Sequence, residues 1–197
     1  MKTSTLFLSA ALLSSVAMAQ VTDTLEGSLS TRTLTSNKLY VLKGFVTVPA
    51  GAELTIQPGT IIKGDKATKG ALIIQRGAKL WAEGTPTNPI IFTSNQPAGS
   101  RNRGDWSGLV ICGNAPINLP GGSGQYEGGA LPGADFGGTN PNDNSGKLRY
   151  VRIEYAGFAI NSNQEINGLT LAGVGDATVI DHVQVSFAND DSFEFFG

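Results

Sequence analysis

Apolar residues alternate with polar ones in short segments along the chain, and the same alternation returns with a period in the mid-twenties. Val46 and Val48 begin one such unit, and Leu72 and Ile74 begin the next. The apolar positions that the two units share are 46, 48, 54 and 56 in the first and 72, 74, 80 and 82 in the second. Alternation with a step of two predicts β-strands, and its return at a constant interval predicts a solenoid of stacked coils.

The pattern continues towards the end of the chain in two series of strands. One series repeats the strand at Val46 with Leu109 and Ile111, and again with Leu169 and Leu171. The other series comprises Ile90, Phe92 and Ser94, then Val151, Ile153 and Tyr155, then Val183, Val185 and Phe187. Matched inward positions in every coil predict an all-β protein, a parallel β-helix. An antiparallel β-sandwich, which is also built from short alternating strands, is the alternative fold.

Two segments interrupt the repeat. Residues 95–107 are polar, and residues 114–147 are rich in Gly, Pro and Asn without alternating apolar positions. Both are predicted to leave the coil as inserted surface loops. Ile73 and Val110 point outward in the predicted register, so the longer insertion is expected to fold back and cover them. Trp106, at the exit of the shorter loop, is expected to form a lid over the coil edge.

The first residues resemble an export signal. Lys2 precedes the short apolar run Leu6 to Val16, and Ala17-Met18-Ala19 provides small residues before a cleavage point. Residues 1–19 are therefore predicted to be a signal peptide, and residues 20–197 the β-helix domain of a secreted or cell-surface protein. No later apolar segment is long enough for a transmembrane span.

The two ends of the coil need cover, because end coils expose backbone and apolar surface. Residues 21–40 are expected to cap the first coil. The sequence ends at Phe195-Phe196-Gly197 within an apolar strand, so the β-helix is expected to be truncated at its C-terminal end. The alternative is that another chain covers this end.

Composition narrows the classes of partner. The formal net charge is −2 and no basic stripe is present, which argues against a nucleic acid partner. Cys112 is the only cysteine, so no intramolecular disulfide can form and packing must hold the fold together. The sequence leaves the oligomeric state open.

Five segments carry a likeness to a known family: residues 84–94, Gly104-Asp105-Trp106-Ser107-Gly108, Asn114-Ala115-Pro116-Ile117-Asn118, Tyr150-Val151-Arg152-Ile153-Glu154 and Asp190-Asp191-Ser192-Phe193-Glu194. Together they resemble secreted Bacteroidetes surface proteins that are associated with the type IX secretion system. It implies a right-handed parallel β-helix at or beyond the outer membrane. It implies no chemistry, because the family has no assigned catalytic set.

Asp190 and Asp191, which lie at a predicted corner of the coil, are the candidate catalytic residues. Polysaccharide hydrolysis uses two carboxylates on either side of the glycosidic bond, and some β-helix hydrolases use clustered Asp residues. His182 is a further candidate, since a basic residue beside it could support a lyase. The favoured interpretation is that the Asp side chains cap the turn through backbone hydrogen bonds.

The candidate binding residues are outward-facing. His182 is expected beside a solvent-facing row that contains Arg152, Glu154 and Gln184. Trp81 alternates with inward Leu80 and Ala82, so its ring is expected either to stack on sugar or to be covered by a loop.

A polar loop provides the candidate metal site. Asn140, Asn142, Asp143 and Asn144 offer several oxygen ligands of the type that calcium takes, although the spacing is not that of an EF-hand. The alternative is a set of Asx turns that need no ion. No cofactor is predicted other than this structural calcium.

Taken together, these features favour a non-catalytic module for surface binding or adhesion, with a glycan or a surface protein as its partner. A polysaccharide-degrading enzyme (a glycoside hydrolase or a lyase) and a purely structural spacer are the two alternatives.

Overall fold

A computed structural model describes residues 20–129, 131–161 and 164–197. The predicted signal peptide, residues 1–19, lies outside the described residues. The strands are β1 (Val21–Ser28), β2 (Arg32–Leu34), β3 (Lys38–Val48), β4 (Glu53–Ile56), β5 (Ile61–Gly64), β6 (Ala71–Ile74), β7 (Lys79–Glu83), β8 (Ile90–Ser94), β9 (Gly108–Cys112), β10 (Gly124–Gln125), β11 (Asp135–Phe136), β12 (Gly146–Glu154), β13 (Ala159–Asn161), β14 (Gln164–Glu165), β15 (Leu169–Ala172), β16 (Val179–Ser186) and β17 (Phe193–Phe196). A short 3-10 helix, Tyr126–Gly129, lies in the longer insertion.

Thirteen strands form one continuous sheet in which neighbouring strands run parallel. Val46 pairs in parallel with Leu72, and Leu54 pairs in parallel with Leu80, in the register that the repeat predicts. The predicted fold class is therefore confirmed, the winding being consistent with a right-handed parallel β-helix, and the antiparallel sandwich is wrong. Two small antiparallel pairs, β10 with β11 and β13 with β14, stand apart from the coils.

Each coil presents three faces because the chain changes direction at corners. The first face contains β2, β4, β7 and the first residues of β12 and β16. The second contains β5, β8, the first half of β3 and the last residues of β12 and β16. The third contains β6, β9, β15, β17 and the last residues of β3. The long strands β12 and β16 pass round a corner at Tyr150 and His182, where φ is 49° and 52°.

The main core fills the inside of the coils with stacked apolar side chains. On the third face Val46, Leu72, Leu109 and Leu169 lie in successive coils, and all four are fully buried. Because each coil places an apolar side chain over the one before it, the burial of every coil depends on its neighbours.

A second apolar cluster lies outside the third face. Ile73 and Val110 are neighbours across β6 and β9, and both are completely buried. Tyr126, Leu131 and Phe136 of the insertion cover them. This confirms the prediction that the longer insertion folds back onto the coil. The same cluster encloses Cys112. Burial raises the pKa of the Cys112 thiol to about 12.

Trp106 is a core residue, and its prediction as a lid is wrong. Its ring is fully buried and stacks on Phe92, with ring centroids 6.4 Å apart. Its Nε1–H donates to the carbonyl of Glu154 at 2.8 Å. Gly64 makes room for the indole, because a Cβ at that position would lie 2.3 Å from the Trp106 Cβ.

The N-terminal segment does not form a separate cap. Strand β1 pairs in parallel with β3, and Leu25 and Leu34 belong to the main core. Residues 21–40 are therefore the first windings of the β-helix, because their apolar positions follow the same ladder.

Tyr155 and Phe187 depart from the predicted alternation. Both align as the repeat requires, but φ is 63° and 57°, so the strand ends at these residues in a corner. Phe187 is 54% exposed, and its ring stacks on that of Tyr155. Ser94 occupies the equivalent position in β8 and is fully buried. Tyr155 and Phe187 do not repeat this inward position, because their left-handed backbone turns the side chains out of the core.

No helix within the described residues is long and apolar enough to cross a membrane.

Candidate functional site

An open groove of about 480 Å³ lies at the corner between the first and second faces. Its lining residues are Thr85, Pro86, Pro89, Tyr150, Val151, Arg152, His182, Val183 and Gln184. One wall is the loop between β7 and β8, and the other side is formed by β12 and β16 as they pass the corner. The predicted binding residues Arg152 and Gln184 and the candidate His182 therefore line one cleft.

The loop between β7 and β8 is held close to the corner by its turn and by Gly84. Thr85 and Asn88 exchange backbone hydrogen bonds of 3.1 and 3.2 Å, which close the turn around Pro86. A Cβ on Gly84 would lie 2.5 Å from the carbonyl oxygen of Tyr150, so only glycine allows the loop to approach so closely. The wall of the groove is thus set by the local sequence.

The rings of Tyr150 and His182 form an aromatic pair at the groove. Their centroids are 4.4 Å apart and their planes differ by 29°. Both residues are in the left-handed region, which costs a residue other than glycine about 1–2 kcal/mol. An aromatic contact contributes about 0.5–1.5 kcal/mol, so the stacking by itself does not offset the strain of two such residues.

The charge of Arg152 is neutralised within the groove. Its guanidinium donates to the Glu154 carboxylate at 2.6 Å, and the Glu154 side chain is only 13% exposed. The other Glu154 oxygen accepts a hydrogen bond from the Thr93 hydroxyl at 3.1 Å. Gln184 pairs with Arg152 across the sheet and is exposed, so its amide is accessible from the groove.

His182 is exposed and oriented by its neighbour. Its Nδ1 lies 2.5 Å from Oδ1 of Asp181, whose other oxygen is ion-paired with Arg149 at 2.9 Å. The imidazole thus faces the solvent side of the corner with Tyr150 behind it.

Trp81 lies on the first face and does not line the groove. It is half-buried and aligned with Thr55 and Lys147. Its Nε1–H donates to Oε2 of Glu53 at 3.0 Å, and Nζ of Lys79 is 5.8 Å from the ring centroid. The structure thus places Trp81 apart from Arg152 and Gln184.

Asp190 and Asp191 lie in the bend between β16 and β17, and both are exposed. The backbone N–H of Asp191 donates to Oδ1 of Asn167 at 2.8 Å, and its carbonyl accepts from Gly168 at 3.0 Å. The extended segment 183–186 separates this bend from His182. The three candidate catalytic residues are therefore not brought together.

A carboxyl cluster that the sequence pattern did not reveal forms near that bend. Asn167 donates through its side-chain amide to Oε2 of Glu194 at 2.5 Å, and burial raises the pKa of Glu194. Burial, and then the charge of Glu165, raises the pKa of Glu127 in the insertion. The alternation of residues in β17 predicts only that Glu194 faces outward. No local feature of the sequence predicts that the insertion packs against it.

In the loop of the candidate metal site, side-chain oxygens of Asn140, Asp143 and Asn144 accept protein hydrogen bonds. Asn140 Oδ1 accepts from the N–H of Asn142 at 3.2 Å, and Asn144 Oδ1 accepts from Gly146 at 2.9 Å. Asp143 is buried and accepts from the Ser145 hydroxyl at 2.9 Å. In the part of the chain that the structure describes, no group of three or more His, Cys, Asp or Glu side chains could hold a metal ion.

Comparison with known proteins gives one family. The family described as Pectate-lyase like beta helix domain matches residues 27–197, which is nearly the whole of the coiled region. Comparison with curated proteins and with solved structures gave no match.

Proposed function

Since this chain belongs to the family of pectate-lyase-like β-helix domains, we propose that it is a secreted, non-catalytic module that binds neutral glycan in the groove beside Tyr150 and His182. The observation that carries the proposal is the composition of this groove. It combines an aromatic pair with an exposed amide in a cleft that is open to solvent.

The groove offers both kinds of contact that a sugar needs. The C–H face of a pyranose ring packs on an aromatic ring, here that of Tyr150 or His182. Sugar hydroxyls then exchange hydrogen bonds with the Gln184 amide, the Thr85 hydroxyl and the Arg152 guanidinium, which lie in the same lining.

Charge favours a neutral ligand. Arg152 is the permanently charged residue of the lining, and Glu154 already accepts its hydrogen bond at 2.6 Å. An acidic sugar that paired with the guanidinium would bring a second negative charge close to the Glu154 carboxylate, and the repulsion between the two carboxylates would oppose binding. A neutral glycan meets no such repulsion, and its hydroxyls can bind to the donors of Arg152 that Glu154 leaves unused.

The lining also supports a binding role rather than hydrolysis. Hydrolysis of a glycosidic bond uses two carboxylic groups on either side of the bond. The described residues that line the groove include no Asp or Glu. Export is part of the same proposal and is supported by the signal-like residues 1–19, and the resemblance to Bacteroidetes surface proteins supports a place at the outer membrane.

The test begins with purified protein on an array of neutral and acidic glycans, followed by titration calorimetry with cellohexaose as the neutral probe. We expect Gln184→Ala and Arg152→Ala each to weaken binding roughly fivefold, because each removes about one net hydrogen bond. Gln184 is exposed and carries no charge, so Gln184→Ala should leave the melting temperature at the wild-type value. Arg152→Ala also removes the ion pair of Glu154, which is only 13% exposed, so a lower melting temperature is expected for that variant.

Trp81→Ala is the matched control, since it removes an aromatic side chain from the first face, away from the groove. It should leave the affinity unchanged. Loss of binding in Trp81→Ala alone would place the glycan on the first face, and absence of any glycan binding by the wild-type protein would refute the proposed function.

A further inference from the structure

We infer that the groove is one end of a longer site, in which an extended neutral oligosaccharide crosses the second face from the Tyr150–His182 pair to a second aromatic pair, Tyr155–Phe187. This inference rests on the proposed function and adds the size and direction of the ligand. A single sugar unit would reach only one of the two pairs.

The second aromatic pair repeats the features of the first. The rings of Tyr155 and Phe187 have centroids 5.1 Å apart and planes that differ by 7°. Phe187 is 54% exposed, so its ring is open to a ligand. The first pair lies within β12 and β16, and the second pair directly follows the last residues of the same two strands. The two pairs therefore lie at the two corners that bound the second face.

The backbone at these four positions is unusual for the residues that occupy it. Among the described residues, the positive φ positions other than glycine are Lys69, Glu127, Tyr150, Tyr155, His182 and Phe187. Four of these six therefore carry the rings of the two pairs. Glycine would adopt the same corner without strain, so the presence of aromatic residues at these positions requires an explanation other than backbone geometry. Strained residues cluster where ligands bind.

The span between the pairs matches an oligosaccharide. Tyr155 is five positions after Tyr150, just past the end of β12, so the two corners are at most roughly 17 Å apart. The outward side chains between the two corners form two cross-strand pairs, Arg152 with Gln184 and Glu154 with Ser186. A ligand along the strands would thus meet a ring, a row of hydrogen-bonding groups and a second ring.

The orientation follows from this arrangement. Each pair joins adjacent coils, whereas the line from one pair to the other runs along the strands. The glycan would therefore lie across the axis of the β-helix, along one edge of two coils, and not down its length.

Calorimetric titration with glucose, cellobiose, cellotriose and the longer members up to cellohexaose tests the inference. We expect the wild-type protein to bind cellohexaose roughly tenfold more tightly than cellobiose, because only the longer chain contacts both pairs. In Phe187→Gly this advantage should disappear, while the affinity for cellobiose stays unchanged. Phe187→Trp should keep the advantage.

Phe187→Gly also separates binding from stability, because glycine adopts the left-handed corner readily and the fold should be retained. Phe195→Ala is the matched control, since Phe195 is a 70% exposed aromatic residue of the same coil on the third face. A tenfold advantage that persists in Phe187→Gly would overturn the longer site but leave the groove intact. If the wild-type protein binds none of the oligosaccharides in the series or any array glycan, the proposed function itself fails.

Discussion

The carboxylate of Asp105 is enclosed in the loop between β8 and β9, with 1% of its side chain exposed. It accepts hydrogen bonds from the Ser94 hydroxyl at 2.7 Å and the Asn102 N–H at 2.9 Å, and Nζ of Lys66 lies 2.8 Å away. Burial by itself would raise the pKa of Asp105, but Lys66, Asn102 and Ser94 together hold it below the ordinary value. Asp105 is thus a structural carboxylate that fastens the shorter loop.

We predict that Asp105→Asn lowers the free energy of unfolding at neutral pH by about 1.5–3 kcal/mol, because a charged hydrogen bond is lost. The folded pKa of Asp105 is lowered, so its contribution is present above the unfolded pKa and is lost as the pH falls through the folded value. The difference between wild type and variant should therefore shrink below about pH 4. Urea unfolding at neutral and acidic pH measures it.

Glu26→Gln is the matched control for this prediction. Glu26 pairs with Lys43 at 2.9 Å, but both side chains are more than half exposed and solvent screens their charges, so the free energy of unfolding should stay close to the wild-type value. A loss in Asp105→Asn that does not vary with pH would contradict the assigned role of the charge.

At the scale of single elements, the loop that contains Asn140 and Asn144 is closed by its own side chains. Asn140 accepts a backbone N–H two residues ahead, and so does Asn144, as in Asx turns. Calcium at Asn140, Asn142, Asp143 and Asn144 remains a proposal, and the ion would have to share the oxygens of Asn140, Asp143 and Asn144 with hydrogen bonds of the loop.

We therefore expect the melting temperature of the purified protein to be the same with and without a chelator such as EDTA. The reason is that the hydrogen bonds of the turn need no ion. The measurement is a thermal melt followed by circular dichroism, with added calcium as the second arm. A lower midpoint in EDTA that calcium restores would instead support the metal site.

The strands show how far the local pattern of apolar residues predicts the structure. The alternation around Val46 and Leu72 predicts both strands and their mutual register, and the pairing confirms it. The same alternation extended to Phe187 misplaces that residue, since the strand ends in a left-handed corner there. The apolar periodicity predicts which residues face inward, but this prediction holds only where the backbone is extended.

At the scale of the whole molecule, the insertion and the coil form a second core outside the β-helix. Phe136 is 2% exposed and packs in the same cluster as Cys112, Ile73 and Val110. The Cys112 thiol is buried there, with its pKa raised to about 12, so it is protected from alkylation in the folded protein.

We predict that Phe136→Ala destabilises the protein by about 3–5 kcal/mol, because it opens a cavity between insertion and coil. It should also speed alkylation of Cys112 by iodoacetamide beyond the rate that global unfolding allows, since the insertion can then detach from the third face. Phe92→Ala is the control: Phe92 is equally buried but lies in the main core. Its alkylation rate should follow global unfolding alone, and the same behaviour in Phe136→Ala would contradict a separately opening cover.

The candidate site shows the limit of prediction more clearly than the fold does. The sequence pattern assigned Arg152, Gln184 and His182 to one outward row, and the structure places all three in one groove. The sequence pattern did not reveal that the rings of Tyr150 and His182 stack, or that Trp81 lies on another face. These depend on how the chain turns at each corner and on the length of the segments between strands.

The sequence by itself determined the coil. Inward apolar positions recur at an interval that the chain carries locally, and stacking them is the way to remove them from water. Only the tertiary structure decided which outward residues meet. Left-handed corners such as Tyr150 and Phe187 change the direction of a side chain without changing the apolar pattern. The insertion, which has no alternation of its own, takes its place from the apolar surface that it covers.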